Sequence, residues 1–229
     1  MKKFVTASLA LSALSTLTAS GVGTVPIDIS GVVDLRIQSI AFGEANLLPE
    51  GQQTFNGIPF NILEGSNTWH AGDQGTSTSI TIDVTVGLTG VDKFYTLIST
   101  AWGSLTPNLA AVTFVGAQGA EVNFNLSGGV HIRDFIDNEF SNTISSPDTV
   151  GVFATSANVN YARYDMQTFD LGDTFLTEEL AFVRFSDFGS EGVQRLLLMG
   201  ATANVIPEPS VALSSLFGFA ALLFVRRRT

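Results

Sequence analysis

Between residues 24 and 204 the apolar positions recur with a period of two, and little of the chain repeats at 3.6. Ile80-Thr81-Ile82-Asp83-Val84-Thr85-Val86 alternates as a half-buried strand does, and Val122-Asn123-Phe124-Asn125-Leu126 repeats the pattern. Residues 94–102 and 196–203 are apolar on both parities and read as more deeply buried strands. Further candidates are 29–42, 58–63, 111–115, 150–154, 159–164 and 180–185, which makes about nine or ten strands. Thr, Val, Phe, Ile and Asn dominate these runs, and β-branched and aromatic side chains suit a pleated surface. Glycine-rich punctuation separates them, at Gly72-Asp73-Gln74-Gly75, Gly116-Ala117-Gln118-Gly119, Ser127-Gly128-Gly129 and Gly189-Ser190-Glu191-Gly192. One all-β domain, an antiparallel sandwich or jelly roll over 24–204, is the expected body. Residues 170–179 have room for one short helix.

The two ends follow other rules. Lys2 and Lys3 precede an apolar run at 4–17, and Ala19-Ser20-Gly21 offers small residues for a signal peptidase, so 1–23 reads as a signal peptide. At the other end Pro207-Glu208-Pro209 forbids a helix and favours extended backbone. An uncharged apolar run of 16 residues, 210–225, follows, and Arg226, Arg227 and Arg228 close it. A full membrane span takes about 20 residues, so 210–225 is a marginal transmembrane helix, lengthened by arginines that reach the headgroups. Lysines at the start and arginines at the end keep both termini inside, and the body between them is translocated.

Tail segment 205–229, with Pro207-Glu208-Pro209, a short membrane helix and a terminal arginine cluster in that order, resembles the PEP-CTERM sorting tail of Gram-negative bacteria. The resemblance implies a membrane-embedded processing enzyme, exosortase, that recognises the tail during export. Pro207, Glu208 and Pro209 would be the sorting motif, and Arg226, Arg227 and Arg228 the membrane stop. The expected itinerary is export across the inner membrane through the general machinery and signal peptidase, transient anchoring, then the cell surface or the extracellular space.

Composition narrows what the body does. The chain has no cysteine, so an exported domain must rest on its packed core rather than on disulfides. Setting aside Lys2, Lys3, Glu208 and the three terminal arginines leaves 6 basic and 20 acidic residues, a net charge of −14. Such a surface repels nucleic acid, which is excluded as a partner.

Within the body, Gly57-Ile58-Pro59-Phe60, the 94–103 run Phe-Tyr-Thr-Leu-Ile-Ser-Thr-Ala-Trp-Gly, Ile132-Arg133-Asp134 and the closing 196–202 run are similar to landmarks of exported bacterial jelly-roll domains of the galactose-binding-like kind. That likeness implies a sandwich and, more weakly, a sugar ligand. Catalytic signatures are missing: neither His70 nor His131 has metal-ligand spacing, and no GxSxG elbow is present. His131 with Asp134 reads as a hydrogen-bonded turn, and Asp134, Asp137 and Glu139 as a solvated acidic loop rather than a calcium site. Trp69, among Ser66, Asn67, Thr68 and Asp73, reads as an exposed loop residue able to stack on a sugar ring; Trp102 reads as core. The sequence therefore describes a non-enzymatic cell-surface or extracellular-matrix protein without metal or cofactor. The alternatives are a secreted carbohydrate-binding module that meets extracellular polysaccharide, and a glycoside hydrolase whose acids are dispersed in the sequence.

Overall fold

A computed structural model describes residues 23–40, 43–72, 79–137, 142–156, 160–188 and 194–206. The body, Val22–Glu208, is one compact unit. Antiparallel sheets packed together make it an all-β sandwich. The larger sheet runs in the order β1 (Gly23–Pro26), β12 (Arg195–Val205), β6 (Val91–Ala101), β10 (Arg163–Phe175), β9 (Thr149–Ala154). The two-residue strand β4 (Trp69–His70) pairs with β12 beside β1. The second sheet is β5 (Ile80–Leu88), β11 (Leu180–Asp187), β7 (Ala110–Gly116), β8 (Glu121–Leu126). A hairpin, β2 (Gly51–Phe55) with β3 (Ile58–Ile62), stands apart from both.

The patterning follows from how many faces each sheet buries. In β5 and β8 the exposed positions are Thr81, Asp83, Thr85, Gly87, Glu121, Asn123 and Asn125, because the second sheet has one wet face. In β12 every residue from Arg195 to Ala203 is buried. The larger sheet is covered twice. Its inner face meets the second sheet through Phe94, Phe114, Phe124 and Phe169, with ring centroids 5.1–5.9 Å apart. Its outer face carries a second apolar cluster in which Leu97, Leu197, Met199 and Tyr164 meet Phe55, Phe60 and Ile62 of the hairpin and Ile37 and Ala45 of two short 3-10 turns. A strand buried on both faces has no polar parity left, hence Leu-Leu-Leu-Met at 196–199.

Three expectations need correction. The described part of the strand expected at 29–42, residues 29–40, does not form a strand: a 3-10 turn occupies Ile37–Ser39, and Leu35 makes only an isolated bridge to Thr68. The strand expected at 159–164 begins at Arg163 and continues to Phe175 as β10. The short helix expected within 170–179 is absent, because 170–175 is still strand and Phe169, Leu171 and Phe175 point into the first core. Strands β1, β2 and β4 had no counterpart in the sequence pattern.

Candidate functional site

The strand registers give the sandwich two distinct poles. Gly23 pairs with Val205, and Val91 also pairs with Val205, so the chain enters and leaves the body at one end of the larger sheet. The Gly90 turn lies at that end, where Gly90 O accepts the Ile206 N–H at 2.8 Å. At the opposite end Ala101 faces Arg195 and Asp187 faces Ala110. The segments leaving that free pole are those after β4, β6, β8 and β11. Leu105, Val130 and Phe188, all exposed large apolar side chains, lie in them.

Trp69 is not the exposed loop residue that its polar neighbours suggest. It is 3 % exposed, on β4, within the core between the sheets. The neighbours Asn67 and Thr68 are themselves buried and satisfied. Asn67 Oδ1 accepts the Ile37 N–H at 3.1 Å, Asn67 Nδ2 donates to Gln38 Oε1 at 2.8 Å, and the Thr68 N–H donates to Leu35 O. Polar side chains here tie the 34–38 segment to β4. Trp102, expected in the core, is only half-buried just past the end of β6, packed against the edge of the second cluster. Its φ is +56°, a left-handed conformation that is a clear outlier for a bulky residue. The His70 ring stands 6.2 Å away at 58°, so the two rings form a corner at the free pole.

The corner rests on a buried carboxylate. Asp134, 1 % exposed, accepts the Gly103 N–H at 3.0 Å, the Ile136 N–H at 2.9 Å and the Trp102 N–H. Burial pushes its carboxyl above the ordinary 3.8, against the pull of these donors and of Arg163. Asp134 is therefore a structural residue and not part of a solvated acidic loop. Arg163, also buried, donates from Nε to Asp134 O at 3.0 Å and from Nη2 to Asn142 Oδ1 at 2.6 Å, and lies 3.5 Å from Asp137. Arg133 grips Asp165 with two bonds of 2.7 Å. His131 is not the partner of Asp134 in a turn; its Nδ1 accepts the Ser127 N–H at 3.1 Å. That bond leaves Nε2 as the protonated nitrogen of the neutral ring. Glu139 lies outside the described residues, and among the described residues no three His, Asp or Glu side chains come together to hold a metal.

A separate cleft of about 230 Å³ opens where β8 and β10 diverge, lined by Phe124, Asn125, His131, Asp148, Thr149, Thr168, Asp170 and Lys93 among others. These residues come from four strands and the connection between β8 and β9, so no local motif could have announced them. Asp148 and Asp170 are both exposed, and Asp170 Oδ1 accepts the Gly172 N–H.

The sorting motif Pro207, Glu208 and Pro209, the membrane segment 210–225, the stop at Arg226, Arg227 and Arg228, and the signal segment 1–22 lie outside the described residues. Among the described residues no helix is long and apolar enough to cross a membrane. No family model, no curated protein and no solved structure matches the chain.

Proposed function

We propose that this chain is an exported protein, sorted through its PEP-CTERM-like tail and processed by exosortase, whose jelly-roll body is a non-enzymatic module of the cell surface or extracellular matrix. The observation that supports this most is the antiparallel pairing of β1 with β12, Gly23 opposite Val205. Both terminal segments join the body at one pole, and the other pole is left for presentation. A sandwich with two aromatic clusters and no cysteine suits export, since its stability does not wait on oxidation. The carboxyls of the β8–β10 cleft are exposed, whereas the acid of a glycosidase is held protonated by a secluded site.

The test is expression of the full chain in a host with and without exosortase, followed by mass spectrometry of the released and membrane fractions. The expected product lacks residues 1–23 and is cut near Pro207, Glu208 and Pro209, and replacing these three by alanine traps the chain in the membrane. Released protein that still ends at Thr229 refutes the sorting reading. Replacing Arg226, Arg227 and Arg228 together by alanine removes the stop, because each charge costs about 2.5–3.5 kcal/mol at the centre of a membrane helix; unchanged labelling of the C-terminus from either side argues against that role.

A further inference from the structure

We propose that Asn56 is a site of covalent self-modification: the Gly57 nitrogen displaces its side-chain amide, and the isoaspartate that follows loosens the β2–β3 hairpin over the outer core. The reaction belongs to the body and needs neither the sorting tail nor a partner.

Asn56 is the only asparagine of the chain that is followed by glycine. Gly57 puts no Cβ beside its own nitrogen, and even a Cβ built there would meet nothing within 4 Å. Both residues are exposed, and among the described residues neither the Asn56 side chain nor the Gly57 N–H has a hydrogen-bond partner. Phe55 pairs with Ile58, so Asn56 and Gly57 are a two-residue hairpin loop, with φ of +50° and +82°. Two positive φ values mark the type I′ turn, which Asn-Gly favours. A five-membered ring through Asn56 Cγ and the Gly57 nitrogen does not fit that turn, so its closure waits for the hairpin to open. A hairpin of two strands is marginal alone. This one is held by Phe55 and Phe60 in the second cluster and by Thr202 Oγ1, which donates to Pro59 O.

In the first step the Gly57 nitrogen bonds to Asn56 Cγ and the bond from Cγ to the side-chain nitrogen breaks. The Gly57 N–H proton leaves with that nitrogen as ammonia. Water then opens the cyclic imide. Attack at Cγ leaves aspartate; attack at the Asn56 main-chain carbonyl leaves isoaspartate, with the chain running through Cβ and Cγ. Isoaspartate adds one atom to the backbone of a loop whose register allows only two residues, and adds a carboxylate to a body already at a net charge of −14. The strain falls on Phe55 next door, whose ring lies 5.9 Å from Tyr164 and 6.1 Å from Phe60. The hairpin therefore loosens where it covers the larger sheet.

Full-length protein in a zwitterionic detergent is aged in mildly alkaline buffer, both native and unfolded in urea. Digests are read by mass spectrometry, with fragmentation that separates isoaspartate from aspartate. In the native protein Asn56 is expected to convert before any other asparagine, and more slowly than in the unfolded chain. Thr202→Val removes one hydrogen bond from the closed hairpin. It should speed native conversion roughly 2–12-fold, the factor that one net hydrogen bond gives to local opening, and leave the unfolded rate unchanged. Aged parent is expected to exchange its amides faster over residues 51–62. Asn56→Gly accepts the positive φ, has no amide to lose, and should keep its exchange rates on ageing. Native Asn56 that stays intact while the unfolded chain converts overturns the proposal, and so does earlier conversion at another asparagine. An unchanged rate in Thr202→Val overturns the gating by the hairpin. Unchanged exchange in the aged, isoaspartate-bearing parent overturns the loosening. None of these outcomes depends on tail processing.

Discussion

The side chain of Gln167 occupies the place of a missing ladder rung opposite Ile98. Its Oε1 accepts the Ile98 N–H at 2.8 Å and its Nε2 donates to Ile98 O at 2.8 Å, while Thr96 Oγ1 donates to the same Oε1 at 2.9 Å. The backbone pairing of β10 with β6 ends at Met166 with Leu97, so without this amide two buried backbone groups of the central strand have no partner.

Gln167→Leu is therefore expected to destabilise the body by about 2–4 kcal/mol, since each buried orphan costs about 1–3 kcal/mol. Urea unfolding measures it. A loss below half a kilocalorie would mean that water or a shifted β10 takes over the rung.

Gly128 holds the free pole together by close approach. A Cβ built there would lie 1.6 Å from Ser104 O and 2.8 Å from Ser104 C, both backbone atoms that cannot swing aside. The Gly128 N–H also donates to Thr106 O, and Asn108 N–H to Ser127 Oγ, so the 104–108 turn and the 127–131 turn are laced together. Gly128→Ala is expected to cost about 1–3 kcal/mol as overpacking, and to change the Trp102 emission because the turn that carries it must move. Gly57→Ala is the contrast: its φ of +82° strains alanine, but nothing lies within 4 Å, so the emission should stay as it is.

Much of this architecture was legible in the chain. Strands with one wet face announced themselves: 80–86 and 122–126 alternate in sequence and are found at Ile80–Leu88 and Glu121–Leu126. Strand β10 escaped because Asp170, Gly172 and Asp173 interrupt its apolar set with residues poor in β-propensity, although Phe169, Leu171 and Phe175 keep the inward parity. The 29–42 stretch misled for the opposite reason. Ile29, Val32, Val33, Ile37 and Ile40 do contribute to the two cores, but from bends and a 3-10 turn rather than a ladder. Trp69 is the residue the pattern misplaces, because the polarity of its neighbours suggests an exposed loop, while Trp102 lies at the edge of a core cluster rather than inside it. Asn67 and Thr68 are polar in order to bond buried backbone, a demand that only the tertiary structure reveals.

Asp134 makes a pH prediction whose sign differs from ordinary acid denaturation. Burial raises its folded-state pKa above 3.8, so the folded chain holds this proton to higher pH than the unfolded chain does. Stability linked to the protonated form is fully present below the unfolded value and is lost as pH rises through the folded one. In the window between the two, the stability of the parent relative to non-titrating Asp134→Asn should therefore rise as pH falls. Carboxyl NMR gives the titration, and urea unfolding across that window gives the linkage. A relative stability that falls with pH there would mean that the donors from Gly103, Ile136 and Trp102 outweigh burial.

The tryptophans make the sharpest test of the packing. Trp69 is buried in the first core, so Trp69→Ala removes a buried aromatic and should cost about 3–5 kcal/mol. Trp102 loses less on truncation. It is only partly buried against the second cluster, and Trp102→Gly also releases a left-handed backbone worth about 1–3 kcal/mol. Its net cost is expected to be small. Paired urea titrations of the two variants settle the order. Equal losses would mean that Trp102 is as much a core residue as Trp69. A large loss at Trp69 with a near-neutral Trp102→Gly would instead mark Trp102 as a residue whose contacts are offset by the left-handed backbone it imposes.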